Sequence, residues 1–151
     1  MMSLLNKSMS RGNTSTTVEG FQNEQSEAYV LKKDDDRYDN FYVSIYDQLF
    51  YNDFAVNYEL GTISNLIPFQ KKDKILDIGS KTGHTIGLLQ EHDYKHVVGL
   101  ESSQKMMQES EKNYPAAEFV LGKPTDSMLF ADKSFTNILC LQKSIYKYRN
   151  K

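Results

Sequence analysis

The residues whose types and spacing could do chemistry lie between positions 75 and 101. Ile75-Leu76-Asp77-Ile78-Gly79-Ser80-Lys81-Thr82-Gly83 runs from an apolar stretch into a glycine-bearing turn, where backbone can approach a ligand closely. Glu101 stands 22 residues beyond Gly79, at the end of the next apolar run, Val97-Val98-Gly99-Leu100. In a parallel sheet the loops after two such strands are neighbours at the carboxyl edge, so a carboxylate at 101 can accept both hydroxyls of a ribose. The pairing of turn and acid is more specific than a glycine turn alone, which many α/β folds contain. Two other nucleotide patterns fail. A dinucleotide fingerprint needs glycines at 81 and 84, where Lys81 and His84 stand, and a phosphate-binding P-loop needs Lys rather than His84 after Gly83.

The elements that must position these residues follow from hydrophobic periodicity. Residues 75–78 form a short apolar run of the kind buried in parallel sheets, and 97–100 form a second. Ile86, Leu88 and Leu89 predict a short helix between them. Ser102 or Ser103 can cap a further helix that runs to about Asn113 before Pro115. Residues 119–121 and 136–141 supply third and fourth strands. Strands alternating with helices predict an α/β fold with parallel pairing through right-handed crossovers. Upstream, Tyr38, Tyr42, Tyr46, Phe50, Phe54 and Tyr58 recur every four residues, with Phe41, Ile45 and Leu49 beside them. This reads as an aromatic-rich helix broken near Asn52-Asp53, its stripe a core face more than a lid over a ligand. Leu60, Ile63, Leu66 and Ile67 extend the helical spacing until Pro68 ends it.

Composition bounds the function. In residues 1–27, fifteen positions are Ser, Thr, Asn, Gln or Gly, too polar to offset chain entropy, so 1–36 is expected to be a disordered polar tail and charged junction. The domain is expected over 37–151. A net charge of −2, with no Lys/Arg cluster interleaved with aromatics, disfavours nucleic acid as a partner. No apolar run approaches the length of a membrane span or a signal-peptide core, so a cytoplasmic protein without a membrane partner is expected. Cys140, the single cysteine, sits in an apolar run and reads as a buried thiol in a reduced compartment. His92 and His96 have helical metal-pair separation, but the segment between them bridges a helix end to a strand start, and no metal site is expected.

The motifs at 75–83 and 101 resemble those of class I S-adenosylmethionine-dependent methyltransferases, whose first motif is apolar-apolar-Asp-apolar-Gly-x-Gly-x-Gly and whose second strand ends in an acid. Phe41-Tyr42-Val43-Ser44-Ile45-Tyr46-Asp47 resembles the aromatic helix many such enzymes fold over the cofactor, and Ser134-Phe135-Thr136-Asn137-Ile138-Leu139 resembles their fourth-strand motif. The resemblance covers about residues 38–145. It implies a Rossmann-like parallel sheet with flanking helices, and S-adenosyl-L-methionine as cofactor. Gly79 and Gly83 would admit the methionine part, with Ser80 in the same turn. Asp77 would hold the loop or the amino group, and Glu101 the ribose. Ser102, Met106 and Leu100 would line adenine, and Lys123 stands at the adenine-reading position.

Two departures have physical consequences. Lys81 replaces the middle glycine, where φ above zero would be costly. Lys123-Pro124 replaces an Asp and a residue with a free N–H, so one acceptor and one donor are lost. At about 0.5–1.5 kcal/mol per hydrogen bond, the two losses weaken binding by roughly one to two powers of ten. Asp126 could supply the acceptor if its loop is shifted. No catalytic base is identified, because methyl transfer from a sulfonium depends chiefly on alignment. The resemblance implies an acceptor side just after the fourth strand, at Gln142, Lys143, Ser144 and Tyr146.

A full class I domain has about seven strands, so the resemblance implies a sheet truncated after its fourth strand. Its open edge predicts self-association, which a monodisperse monomer at high concentration would contradict. The expected activity is methyl transfer to an unidentified acceptor. The alternative is a methyltransferase-like binding or scaffold protein without catalysis.

Overall fold

The computed structural model describes residues 31–142 and 144–148. The polar stretch 1–27 and Lys143 lie outside the described residues. Eight helices and strands are arranged as α1 (Asn40–Phe50), α2 (Asp53–Leu66), β1 (Lys74–Ile78), α3 (His84–Glu91), β2 (His96–Glu101), α4 (Gln104–Asn113), β3 (Glu118–Leu121) and β4 (Asn137–Leu139), with short 3-10 turns at Asp34–Arg37 and Ser144–Tyr148.

The four strands form one parallel sheet in the order β3-β2-β1-β4. The register pairs Asp77 with Gly99 and with Leu139, so the carboxyl ends of β1, β2 and β4 lie side by side. This is the α/β architecture the alternation of elements predicts. One link departs from it: β3 and β4 are joined by an irregular segment, in which turns such as Asp126 N–H to Lys123 O replace a crossover helix. β4 is also shorter than 136–141, and Thr136 instead anchors its entry by donating its N–H to the Lys74 carbonyl.

Helix boundaries follow their capping residues. Asp39 accepts from the Tyr42 N–H at the start of α1, and Asn52 accepts from the Ala55 N–H at the start of α2. Between them Tyr51 adopts extended backbone, which produces the break expected near Asn52-Asp53. No second break follows, and α2 continues to Leu66. Of the two candidate serines, Ser103 caps α4.

The core joins Val56 and Leu60 of α2 to Ile75, Val97 and Leu139 of the sheet and to Ile86 and Leu89 of α3. Each large aliphatic so buried contributes about 1.5–3 kcal/mol. The aromatic stripe is not this core, which corrects the sequence reading. Phe50, Phe54 and Tyr58 are 56%, 78% and 66% exposed, while α2 turns Val56 and Leu60 inward. In α2 the aliphatic residues Val56 and Leu60, two positions away from the four-residue repeat, win the interior, and Tyr42, Tyr46 and Phe50 pack on one another along α1. No helix among the described residues is long and apolar enough to cross a membrane.

Candidate functional site

The turn after β1 contains three left-handed residues in five positions: Gly79 (φ 73), Lys81 (φ 54) and Gly83 (φ 89). This conformation lets the chain reverse sharply from strand to helix. Gly79 and Ser80 both donate their N–H groups to the Leu100 carbonyl, at 2.8 and 3.1 Å, which pins the turn to the end of β2. Lys81 thus does take the positive φ that makes a side chain unfavourable there, a cost on the order of 1 kcal/mol. Several contacts offset it. The Lys81 N–H donates to Glu101 Oε2 at 3.1 Å, and its ammonium donates to the Gln142 carbonyl at 2.8 Å.

Glu101 ends β2 and is almost fully buried, yet it forms part of the wall of a cavity of about 260 Å³. Its Oε1 accepts from the Ser102 and Ser103 N–H groups, both at 2.8 Å, and Oε2 accepts from Lys81. Backbone donors from two loops therefore fix the carboxylate, as the adjacency of β1 and β2 predicts. Gly79 and Lys81 line the same cavity. Tyr38 and Tyr42 close it from the N-terminal side, and Gln142, Ser144 and Tyr146 close it from the segment after β4. Ser144 Oγ donates to the Gly79 carbonyl at 3.1 Å, and the Gln142 N–H donates to Glu59 Oε2 at 3.2 Å. The segment after β4 is thereby tied both to the glycine turn and to α2.

The other residues singled out in the sequence lie around this cavity rather than in it. Asp77 is buried in β1, and burial pushes its carboxyl up to about 7; the Lys81 ammonium pulls it down and Glu101 pushes it up. The Ser80 hydroxyl is buried and turned toward Gly99, without a hydrogen-bond partner among the described residues. Gly83 opens toward Phe119 and Tyr114, each 2.9 Å from where its Cβ would stand, so its smallness serves packing between α3, β3 and α4. Met106 is buried at 1% exposure, and Ser102 contributes its N–H to Glu101. Lys123 is exposed, outside the cavity wall, and Asp126 caps its own turn by accepting from the Met128 N–H at 3.0 Å. Among the described residues there is no group of three His, Cys, Asp or Glu side chains that could hold a metal ion.

Sequence reasoning missed a second polar cluster that holds α1 against the turn. Thr82 Oγ1 donates to Asp47 Oδ1 at 2.6 Å. His84 Nε2 lies 2.9 Å from Asp47 Oδ2, off the axis of a directed hydrogen bond. The other ring nitrogen, Nδ1, meets Tyr114 Oη at 2.6 Å, and the His84 ring stacks on Tyr51 at 3.7 Å between centroids. Burial pushes the Asp47 carboxyl up, but the contacts from His84 and Thr82 outweigh it and hold the group below the ordinary carboxylate range. Nothing local in the sequence marks this cluster, in which Asp47 stands 35 residues from Thr82 and His84 stands 30 from Tyr114.

Comparison with known proteins agrees with this geometry. Residues 75–150 match the family model of the methyltransferase domain. A stretch of 77 residues, half of this chain, is 35% identical to an uncharacterized protein of Haemophilus influenzae and covers 30% of it. Among solved structures, DesVI of Streptomyces venezuelae superposes with a TM-score of 0.57 at 21% identity, covering 72% of this chain and 46% of that one. CalS10, an amino pentose methyltransferase from Micromonospora echinaspora solved with S-adenosylmethionine bound, superposes with a TM-score of 0.52 at 18% identity, covering 78% and 46%. The chain thus spans about half the length of the solved structures it resembles. With the sheet order, the glycine turn and the family match in agreement, the chain belongs to the methyltransferase domain family, of the class I S-adenosylmethionine-dependent type.

Proposed function

We propose that the chain binds S-adenosyl-L-methionine in the cavity between the glycine turn and Glu101, as part of an enzyme that transfers the methyl group to an acceptor. The observation that carries this reading is the Glu101 carboxylate, held by backbone N–H groups from two loops at the wall of a cavity it shares with Gly79. A carboxylate so oriented suits a vicinal diol, because its two oxygens can accept from both hydroxyls. Bound there, the cofactor supplies an electrophilic methyl group on a sulfonium. The chain's own residues bind and orient. Glu101 takes the ribose, the turn at Gly79 leaves room for the methionine part, and Tyr38 and Tyr42 shield the cavity from water. Gln142, Ser144 and Tyr146 face it from the side where an acceptor would enter. The adenine end is less well provided for, since Lys123 is exposed and Pro124 has no N–H to donate.

Calorimetric titration of S-adenosylhomocysteine into the wild-type chain and a folded Glu101→Ala variant tests the reading. Micromolar binding that weakens at least tenfold in the variant supports it; equal binding by both places the ligand elsewhere.

A second reading, a methyltransferase-like scaffold without catalysis, is favoured by Lys81 and Lys123-Pro124. It predicts that a folded chain takes up neither S-adenosylmethionine nor S-adenosylhomocysteine.

A further inference from the structure

Lys81 occupies a position that its own backbone conformation disfavours, which directs attention to its ammonium group. Its N–H is bonded to Glu101 Oε2 and its Nζ to the Gln142 carbonyl, with Gln142 Oε1 at 3.4 Å. The side chain therefore runs along the cavity wall from the ribose-side carboxylate to the segment after β4. The left-handed φ of 54° and these contacts fix it there, half-buried, beside Gly79.

From this placement we infer that Lys81 sets the charge preference of the cavity, favouring a ligand with a neutral sulfur over one with a positively charged sulfur. The inference rests on the cofactor reading above and specifies which form of that cofactor the site retains. S-adenosylmethionine and S-adenosylhomocysteine share adenosine and amino-acid parts and differ by the methyl group and the sulfonium charge. A cavity of about 260 Å³ is roughly 8 Å across, so any charge inside it lies within about 10 Å of the ammonium. At that distance like charges in a partly buried site shift a binding equilibrium roughly tenfold. Glu101 and Arg37 also line the cavity and act equally in wild type and variant; the Asp77 carboxyl, which the Lys81 ammonium pulls down, does not, so the comparison is repeated in an Asp77→Asn background, where the change in the ratio of the two dissociation constants isolates Lys81. The consequence for turnover is product retention: after methyl transfer the sulfonium charge is gone, and the repulsion that opposed the substrate form no longer opposes the product form.

The test measures dissociation constants of both ligands by calorimetry at neutral pH for the wild-type chain, Lys81→Asn, Lys81→Gly and Lys81→Arg. Asparagine and glycine both accept the left-handed backbone, so the neutral variants remove the charge without adding strain. The expected result is that the ratio Kd(S-adenosylmethionine)/Kd(S-adenosylhomocysteine) falls about tenfold in Asn and Gly and stays near wild type in Arg. Loss of the Gln142 contact alone weakens both ligands together and leaves the ratio unchanged. An unchanged ratio in both neutral variants, with both ligands still bound, overturns the inference and leaves the cofactor reading intact. Failure of the folded wild-type chain to bind either ligand overturns both.

Discussion

Gly87 offers the sharpest test of how the site's scaffold is packed. It lies in the middle of α3, an element where alanine is normally better than glycine by about 1 kcal/mol. A Cβ at 87, however, would stand 2.0 Å from Tyr114 Cε1 and 2.5 Å from Cζ, so the Tyr114 ring would have to leave the groove it occupies between Gly83 and Gly87. Leaving breaks the 2.6 Å contact with His84 Nδ1 and the edge-to-face packing on the His84 ring. Overpacking of this kind costs about 1–3 kcal/mol, and the lost hydrogen bond about 1 kcal/mol more. Set against the helical gain, Gly87→Ala should destabilise by roughly 1–3 kcal/mol, read from urea denaturation midpoints at constant m. In a Tyr114→Ala background the obstacle is absent, and the same substitution should stabilise by up to about 1 kcal/mol. A wild-type background in which Gly87→Ala is neutral or stabilising would refute the packing argument.

Asp77 adds a pH dependence of known sign. Its carboxyl is raised to about 7 in the folded state, so the folded chain holds the proton more tightly than the unfolded chain does. Its contribution is greatest below the unfolded value near 3.8 and is lost as pH rises through 7; Asp77→Asn should flatten that part of the stability profile and raise stability at pH 8. Asp47→Ala removes the acceptor of Thr82 and the carboxylate beside His84 Nε2, at about 2 kcal/mol, and hydrogen exchange in α1 should accelerate more than in β1. Cys140 is a half-buried thiol pushed up mainly by burial, so in the native chain it should react with a disulfide reagent much more slowly than in urea.

Legibility in the sequence followed the range of the interaction. The apolar runs at 75–78 and 97–100 became β1 and β2, because strands buried on both faces need continuous apolar residues. The turn at Gly79 and the acid at Glu101 were legible because both sit at strand ends whose adjacency the topology imposes. The helix break near Asn52-Asp53 and a cap at Ser102 or Ser103 are local signals and were equally readable. The aromatic stripe was misjudged because a four-residue repeat marks one face of a helix without saying which face meets the sheet. The Lys81 contact with Gln142 and the Asp47, Thr82 and His84 cluster span 61 and about 35 residues, and no local pattern encodes them. Lys81 departs from the family pattern in the sequence itself, but its contact with Gln142 depends on the segment after β4 lying beside it.

The most direct test of the central claim is the structure of the chain in complex with S-adenosylhomocysteine. The ribose hydroxyls should lie within hydrogen-bonding distance of the Glu101 carboxylate, with the amino-acid part beside Gly79 and Lys81. A ligand seated away from Glu101 in a folded chain would contradict the assignment.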